Sequence, residues 1–238
     1  MSKLGVLGGM GPLATQLLYK MIIENTEASC DQEHIDMIIL SHAKIPDRTA
    51  AIKSGNTKEV FHALLDDIIM LGKNGCTAIA IPCNTSHYFY HALQAESDIP
   101  IINMVASSIE DVIAAKPDAK KIGILATDGT LYADIYKKEC AERGVTAVYP
   151  DADIQKIVMD IIYEQIKKGE KGNPEDFAKI DAHLKALGCD GAILACTELS
   201  CYKEYHPLDS FYTDSLESLC KKSIVMCGGK LKGEKNDL

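Results

Sequence analysis

Two cysteines far apart in the chain lie in similar contexts that suit acid–base chemistry. Cys83 is found in "IPCNTSH" and Cys196 in "LACTELS", each directly after an apolar run that predicts a buried strand. Thr85 and Thr197 are candidate N-caps of the helices expected next. A thiol just before a helix N-terminus experiences the positive end of the helix dipole, which favours the thiolate. We therefore expect both thiols to exchange protons near neutral pH.

The two cysteine segments belong to an internal repeat. The stretch "KLGVLGGMGPLATQLLYK" (3–20) is similar to "KIGILATDGTLYADIYKK" (121–138), and "GCTAIAIPCNTSH" (75–87) is similar to "GCDGAILACTELS" (188–200). Two matches in the same order and at nearly the same offset predict two similar α/β halves. Open α/β sheets bind ligands at the carboxyl ends of their strands, so halves that face each other about a pseudo-two-fold axis would bring both thiols into one cleft.

A thiolate on one face of a carbon atom and a thiol on the other suit a stereoinversion. One cysteine would remove the Cα proton of an amino acid, and the other would deliver a proton to the opposite face. A metal site at these cysteines has less support, because no further His or Cys follows at ligand spacing. The remaining seven cysteines are expected to be small buried side chains. These are Cys30, Cys76, Cys140, Cys189, Cys201, Cys220 and Cys227.

Alternating strand and helix patterns must position these cysteines, and they predict parallel sheets with helices on both faces. We divide the chain into a first α/β half (1–104), completed by the C-terminal helix 210–228, and a second half (105–209). The long polar segment 41–56 is expected to be an irregular loop, and 228–238 is expected to fray. Strands are predicted at 4–7, 37–40, 77–81, 101–104, 121–125, 147–149 and 191–195, and helices at 12–26, 57–71, 85–94, 131–143, 154–168, 173–187 and 215–226.

Composition excludes several classes of protein. The formal net charge is −9, and no Lys/Arg stripe with interleaved aromatic residues occurs, which argues against nucleic-acid binding. No apolar run reaches the roughly 20 residues of a membrane-spanning helix. The start, Met1-Ser2-Lys3, leads directly into a strand pattern and does not have the form of a signal peptide, so we expect a cytoplasmic protein. No C-x-x-C pair indicates a zinc ribbon or a redox motif.

The segment "GGMGPLAT" fits the dinucleotide-binding pattern through Gly9, Gly11 and Ala14, but its surroundings argue against a nucleotide. The second strand ends in "LSH" and offers no carboxylate for a ribose. Pro12 also removes a backbone N–H where a pyrophosphate would need one. We interpret the glycines as allowing close approach of the backbone to a small substrate.

The motifs "GGMGPLAT", "IPDRT", "PCNTSH", "TDGT" and "CTEL", in this order over almost the full length, resemble the aspartate/glutamate racemase superfamily. The opening "GGMGP", in place of a "DSG" motif, is most similar to the aspartate racemase branch. The resemblance implies two Rossmann-like halves, no cofactor such as pyridoxal phosphate, no metal and a homodimer. It implies an aspartate or glutamate substrate, with Cys83 and Cys196 as the acid/base pair.

The resemblance also assigns residues that bind the substrate. Arg48 in "IPDRT" corresponds to an arginine for a substrate carboxylate, which fits the bidentate geometry of a guanidinium. Asn84 and Thr85 correspond to the segment that binds the α-carboxylate and amino group. Lys167 corresponds to a lysine for the side-chain carboxylate, although the adjacent Lys168 is an alternative by one position.

Thr197 and Glu198 correspond to the mirror-image segment in the second half, where Glu198 is expected to hold the substrate ammonium. Met10 and Thr127 occupy the two equivalent first loops and are expected to line the cleft. Two departures from the family pattern are Ala195, where glycine is usual, and the loosely matching segment "YHPLDSFYTDSLES".

Aspartate racemisation is therefore the expected activity. A broad-specificity or glutamate-preferring racemase, a hydantoin racemase or another cysteine-dependent isomerase remains open. A nucleotide-binding regulator or dehydrogenase, and a non-catalytic small-molecule-binding protein, are more remote alternatives.

Overall fold

Two parallel β-sheets with the same strand arrangement form the framework of the protein, in a computed structural model that describes residues 2–233. The first sheet has the order β2-β1-β3 and the second has the order β5-β4-β6-β7. The first three strands of the two sheets thus correspond one to one, which confirms the predicted α/β fold with two similar halves. The strands are β1 (Lys3–Gly8), β2 (Asp36–Ser41), β3 (Ala78–Ala80), β4 (Lys121–Leu125), β5 (Thr146–Val148), β6 (Gly191–Leu194) and β7 (Tyr212–Asp214).

Helices cover both faces of the sheets. Successive residues of β3 pack into two different clusters of buried side chains, Ala78 and Ala80 into one and Ile79 into the other. Because neighbouring strand residues point to opposite faces, both faces of the first sheet are buried. The helices are α1 (Pro12–Asn25), α2 (Arg48–Ser54), α3 (Lys58–Lys73), α4 (Tyr90–Ala95), α5 (Met104–Ala115), α6 (Asp128–Tyr132), α7 (Ile135–Glu142), α8 (Ala152–Met159), α9 (Pro174–Ala186), α10 (Thr197–Tyr205) and α11 (Ser215–Met226).

The duplication extends further than the sequence predicted. The predicted strand at 101–104 is wrong, because only Ile101 pairs with β3, through Ile79, and the side chain of Asn103 caps α5 at Met104. In the second half, β7 lies beside β6 in the equivalent place, and Asp214 caps α11. The helices α5 and α11 are therefore equivalent.

The equivalent helices α5 and α11 cross between the halves. They pack against each other, and α5 also contacts β6 and β7 of the second sheet while α11 contacts α1 and β3 of the first. The segment 210–228 thus contributes β7 to the second sheet and α11 to the first half. The division at residues 104 and 105 stays a prediction.

Several predicted elements are interrupted. The segment 41–56 is not wholly irregular, because Asp47 Oδ1 accepts a hydrogen bond from Ala50 N at 2.8 Å and starts α2. The predicted helix at 131–143 is broken at Asp134, whose φ is 52°. The helix predicted at 154–168 continues from α8 as a π-helical turn (Asp160–Gln165) and a 3₁₀ turn (Ile166–Lys168). The helix predicted at 85–94 begins as a 3₁₀ turn (Thr85–Phe89).

Other expectations concern the cysteines and the chain end. Cys30 is exposed, contrary to the prediction, because it lies in the turn before a 3₁₀ segment (Asp31–Glu33), whereas the other eight cysteines are buried. Lys230 O accepts a hydrogen bond from Glu27 N, and Lys232 N donates one to Asn25 O, so the predicted fraying does not begin at residue 228. The rest of that prediction, at 234–238, lies outside the described residues. Within residues 2–233, no helix has the length and apolarity to cross a membrane.

Candidate active site

One cavity, lined by residues of both halves, brings together all ten residues singled out from the sequence. Cys83 and Cys196 are each 6% exposed, so both thiols are nearly excluded from solvent. Asp47, Thr49 and Tyr163 also line the cavity. The ten are Met10, Arg48, Cys83, Asn84, Thr85, Thr127, Lys167, Cys196, Thr197 and Glu198.

The positions of the two cysteines follow from where the central strands end. Cys83 comes three residues after β3, and Cys196 directly precedes α10, for which it occupies the N-cap position. Thr85 and Thr197 are therefore not N-caps, as the sequence suggested, but the first residues of a 3₁₀ turn and of α10. The α10 terminus has no side-chain cap, which leaves it open towards the cavity.

Glu198 contacts Cys196 and Lys167 at the same time. Cys196 Sγ donates a hydrogen bond to Glu198 Oε2 at 3.0 Å, while Lys167 Nζ forms an ion pair with Glu198 Oε1. Burial and the adjacent Glu198 raise the pKa of the Cys196 thiol well above its ordinary value, and Lys167 opposes this rise. The expected lowering of the thiol pKa by the helix terminus is therefore wrong for Cys196, because burial and the carboxylate outweigh the dipole.

Lys167 is held between the carboxylate and an aromatic ring. Burial lowers its pKa, but the adjacent Glu198 carboxylate outweighs burial and raises the pKa overall. Its ammonium lies 5.4 Å from the centre of the Tyr163 ring, within the range of a cation–π interaction. Lys168 pairs with Glu164 on the surface, so Lys167 rather than Lys168 lines the cavity.

Arg48 is the cation on the side of the first half. Its Nη1 donates to the carbonyl oxygens of Ile45 at 3.1 Å and Pro46 at 2.9 Å, and its buried Nε has no hydrogen-bond partner among residues 2–233. Burial lowers the pKa of Arg48, but Cys83 and Asp47 outweigh burial and raise it. A buried guanidinium N–H with no partner is costly, so Arg48 is suited to receive an anionic ligand.

Asn84 is fixed by Tyr136 of α7 and by Ser215 at the start of α11. Its Oδ1 accepts from Tyr136 Oη at 2.6 Å, and its Nδ2 donates to Ser215 Oγ at 2.9 Å. Ser215 Oγ in turn donates to the carbonyl oxygen of Leu194 at 2.7 Å. One Nδ2 hydrogen remains available for a ligand.

Hydroxyl groups form a second link across the halves. Thr85 Oγ1 lies 3.0 Å from Thr127 Oγ1 and 2.9 Å from Thr130 Oγ1, and Thr49 Oγ1 donates to Thr127 at 3.3 Å. Thr127 is also the N-cap of α6. Hydroxyls can donate or accept, so this cluster can adjust to either end of a polar ligand.

Three cavity residues were missed from the sequence. Asp47 and Thr49 flank Arg48 in "IPDRT" and could have been found from that motif. Tyr163 Oη donates to Asp47 Oδ2 at 3.1 Å and lies 3.3 Å from Thr49 Oγ1, so it joins the start of α2 to the π-helical turn. π-Helical turns occur often at functional sites, but periodicity does not reveal them.

The glycine-rich first loop passes close to the site. A Cβ atom on Gly11 would lie 3.2 Å from Glu198 Oε1 and 3.9 Å from Lys167 Nζ. Gly9 has a φ of 92°, and a Cβ there would meet the His42 backbone at 2.5 Å. Both glycines therefore allow close packing of the loop.

His87 supports the segment that carries Cys83. Its Nδ1 lies 3.0 Å from the carbonyl oxygen of Cys83, and its Nε2 accepts from Met104 N at 3.2 Å. An imidazole that accepts at Nε2 carries its proton on Nδ1, so Nδ1 donates to Cys83 O. Burial lowers the pKa of His87, which keeps the ring neutral at pH 7. No cluster of three or more His, Cys, Asp or Glu residues suited to a metal ion occurs among residues 2–233.

Known proteins are similar to this chain in sequence and in fold. A broad-specificity amino-acid racemase of Bacillus subtilis is 26% identical over 225 residues, covering 93% of this chain and 96% of the relative. Aspartate racemase from Picrophilus torridus superposes with a TM-score of 0.80 at 26% identity, covering 98% of this chain and 96% of the other. An aspartate racemase homologue from Pyrococcus horikoshii has a TM-score of 0.76 at 25% identity, with coverages of 96% and 100%.

The sequence model of the family described as Asp/Glu/Hydantoin racemase matches residues 7–207, a span that includes all ten candidate site residues. The two-sheet fold, the relatives and this match agree with one another, and the chain belongs to the Asp/Glu/hydantoin racemase family.

Proposed function

We propose that this chain is a cofactor-independent racemase that interconverts L- and D-aspartate by proton transfer at Cα between Cys83 and Cys196. The observation that carries the proposal is the shared cavity, in which two buried thiols lie with one cation from each half, Arg48 and Lys167. Two thiols can serve as base and acid, and two cations can neutralise the two carboxylates of a dicarboxylic amino acid.

The cavity also suits a small, polar substrate. The partnerless Nε of Arg48 offers a donor to one carboxylate, and the remaining Nδ2 hydrogen of Asn84 offers another. The N-terminus of α10 has no side-chain cap among the described residues, and the positive end of its helix dipole favours an anion. Each oxygen of Glu198 already has one partner, Cys196 or Lys167, so a substrate ammonium would share the carboxylate with them.

A broad-specificity racemase is a second candidate, favoured by one feature of the site. Lys167 is already neutralised by Glu198, so an amino acid without a second carboxylate would leave no unpaired cation there. The similarity to the Bacillus subtilis broad-specificity racemase also supports this candidate. For a dicarboxylic substrate, in contrast, Lys167 would exchange Glu198 for the substrate carboxylate.

Exchange of the Cα hydrogen in D₂O, followed by proton NMR and chiral chromatography, tests the proposal. Wild-type protein is expected to deuterate and invert both L- and D-aspartate, and Cys83→Ser and Cys196→Ser are each expected to abolish inversion. Full racemisation by both variants would overturn the two-thiol mechanism.

The same assay with glutamate and alanine separates the two candidates. Lys167→Met is expected to abolish aspartate turnover, whereas the matched variant Lys168→Met, which changes a surface lysine, keeps it. Retained aspartate turnover in Lys167→Met, together with inversion of alanine by the wild type, would favour broad specificity.

We also propose that two copies associate. The resemblance to the family supports a dimer, and α1 exposes Tyr19 and Ile23, which lie one helical turn apart. Sedimentation velocity is expected to give twice the chain mass of 25.9 kDa.

A further inference from the structure

The two cavity cysteines have neighbours of opposite charge. Cys196 Sγ donates a hydrogen bond to the Glu198 carboxylate at 3.0 Å, whereas the charge of Arg48 lies beside Cys83. The duplication makes the two thiols equivalent in the fold, but these neighbours break the symmetry. The asymmetry concerns where the proton of the pair resides before a substrate arrives.

We propose that Glu198 holds Cys196 as the thiol in the ligand-free protein, so that Cys196 begins the reaction as the acid. This inference rests on the proposed function and adds the direction of the first proton transfer. Cys83 would then be the base for the enantiomer whose Cα hydrogen faces it, and Cys196 would be the acid.

Geometry carries the argument at Cys196. A carboxylate oxygen within hydrogen-bond distance of a sulfur can only accept, so the contact exists when the sulfur bears its proton. An ionised Cys196 would place two negative charges side by side in a buried site, which is unfavourable. The pKa of Cys196 is raised by burial first and by Glu198 next, in agreement with this contact.

The other charged and titratable groups around the pair do not remove the asymmetry. Lys167 lines the cavity and interacts electrostatically with both cysteines, but its charge is largely neutralised by its ion pair with Glu198. The hydroxyl groups of Tyr163 and Tyr136 also interact electrostatically with Cys196. Burial raises the pKa of each hydroxyl, so both stay neutral. On the Cys83 side, Asp47 is partly neutralised by Arg48.

The proton balance of one turnover follows from this assignment. The Cys83 thiolate takes the Cα proton, so an S–H bond forms as the C–H bond breaks and the electron pair stays on Cα. The carbanion then takes the proton of Cys196 on the opposite face, which leaves Cys196 as the thiolate and Cys83 as the thiol. Before the next substrate of the same hand, Cys83 loses a proton to solvent and Cys196 regains one. Glu198 makes the last step favourable, so we consider it a positioning residue.

Alkylation by iodoacetamide, resolved by mass spectrometry of the Cys83 and Cys196 peptides over pH 6 to 10, tests the proposal without relying on turnover. Only the thiolate reacts, and one unit of pKa changes its fraction about tenfold. Glu198→Gln is expected to speed alkylation of Cys196 at pH 7 at least tenfold and to leave Cys83 within about twofold. Glu204→Gln removes a carboxylate from the same helix outside the cavity, where it pairs with Lys20, and is expected to change neither rate.

Lys167→Met separates charge from loosening of the fold. Loss of the cation is expected to slow Cys196 alkylation at pH 9 several-fold, whereas Lys168→Met leaves it unchanged. A loosened site would speed alkylation in both Glu198→Gln and Lys167→Met, so faster reaction in both would overturn the proposal. An unchanged Cys196 profile in Glu198→Gln would overturn it as well.

The exchange assay distinguishes this inference from the proposed function. If wild-type protein does not exchange the Cα hydrogen but alkylation follows the expected pattern, the function is wrong and the proton asymmetry stands. If it racemises aspartate but Glu198→Gln does not alter the Cys196 profile, the asymmetry alone is wrong.

Discussion

Tyr163 joins the two halves above the cavity, and its hydroxyl can be removed alone by Tyr163→Phe. The hydroxyl donates to Asp47 Oδ2 at 3.1 Å and lies 3.3 Å from Thr49 Oγ1. The ring beneath Lys167 remains in the variant, as does the cap that Asp47 Oδ1 provides to α2. The substitution therefore tests the link between the π-helical turn and the start of α2, where Arg48 lies.

The magnitude follows from the contacts that remain. A hydrogen bond to a charged group contributes about 1.5–3 kcal/mol, but the exposure of Asp47 reduces this to about 1 kcal/mol. The Thr49–Thr127 hydrogen bond still holds α2 to the second half. Because 1.4 kcal/mol is a factor of ten, KM for aspartate is expected to rise about fivefold with little change in kcat.

Steady-state racemisation of aspartate, measured by circular dichroism in both directions, provides KM and kcat. Tyr132→Phe is the matched control, because Tyr132 is 68% exposed and lies outside the cavity. A fall in kcat beyond tenfold at unchanged KM would show that the hydroxyl acts on the reacting atoms. Kinetics equal to those of Tyr132→Phe would show that the link does not hold the site together; either result refutes this reasoning.

Three further predictions concern stability. Burial lowers the pKa of His87, so unfolding takes up a proton below about pH 6.5, and the free energy of unfolding is expected to fall as the pH drops through that region. In urea titrations at pH 7.5 and 5.5, His87→Asn should reduce this dependence of the unfolding free energy on pH. An unaltered dependence would contradict the assignment. Burial raises the pKa of Asp214 to about 6, and among residues 2–233 its buried Oδ2 has no hydrogen-bond partner. Its effect on stability therefore depends on pH in the opposite direction to that of His87. The contribution of Asp214 to the free energy of unfolding is complete below pH 4 and is lost as the pH rises towards 6. Asp214→Asn should remove that loss, as seen in thermal unfolding at pH 4.5 and 7, unless the carboxyl ionises normally. Gly9→Ala should lower the free energy of unfolding by at least about 2 kcal/mol more than Gly55→Ala does. Both glycines have positive φ, but of the two only Gly9 has backbone atoms within 3 Å of the new Cβ. Equal losses in urea unfolding would mean that the loop moves aside.

Much of the site was predictable because the carboxyl ends of parallel strands bring together residues that are far apart in sequence. The repeat placed Cys83 and Cys196 at equivalent strand ends, and the motif around Arg48 indicated a cation that lines the same cavity. The proton state of Cys196 was not predictable, because it depends on burial and on the direction in which Glu198 points. Tyr163 was missed because a π-helical turn leaves no trace in a 3.6-residue periodicity.

The limits of the fold prediction have a similar origin. The strand expected at 101–104 ends after one bridging residue because the Asn103 side chain starts a helix, a local hydrogen bond that overrides the apolar pattern. Likewise, the helix expected at 131–143 breaks where Asp134 adopts a left-handed conformation.

The exchange of α5 and α11 between the halves has a consequence for biosynthesis. During translation, the first sheet emerges early, but its cover α11 is made only after the second sheet is complete. The first half therefore lacks one of its covering helices until nearly the whole chain is made, and its packing is completed by the most distant part of the sequence. A chain that stops before residue 215 loses the cover of its oldest sheet together with Ser215, which holds Asn84 in the cavity. A truncated copy would thus expose apolar surface and lack one of the supports of its cavity.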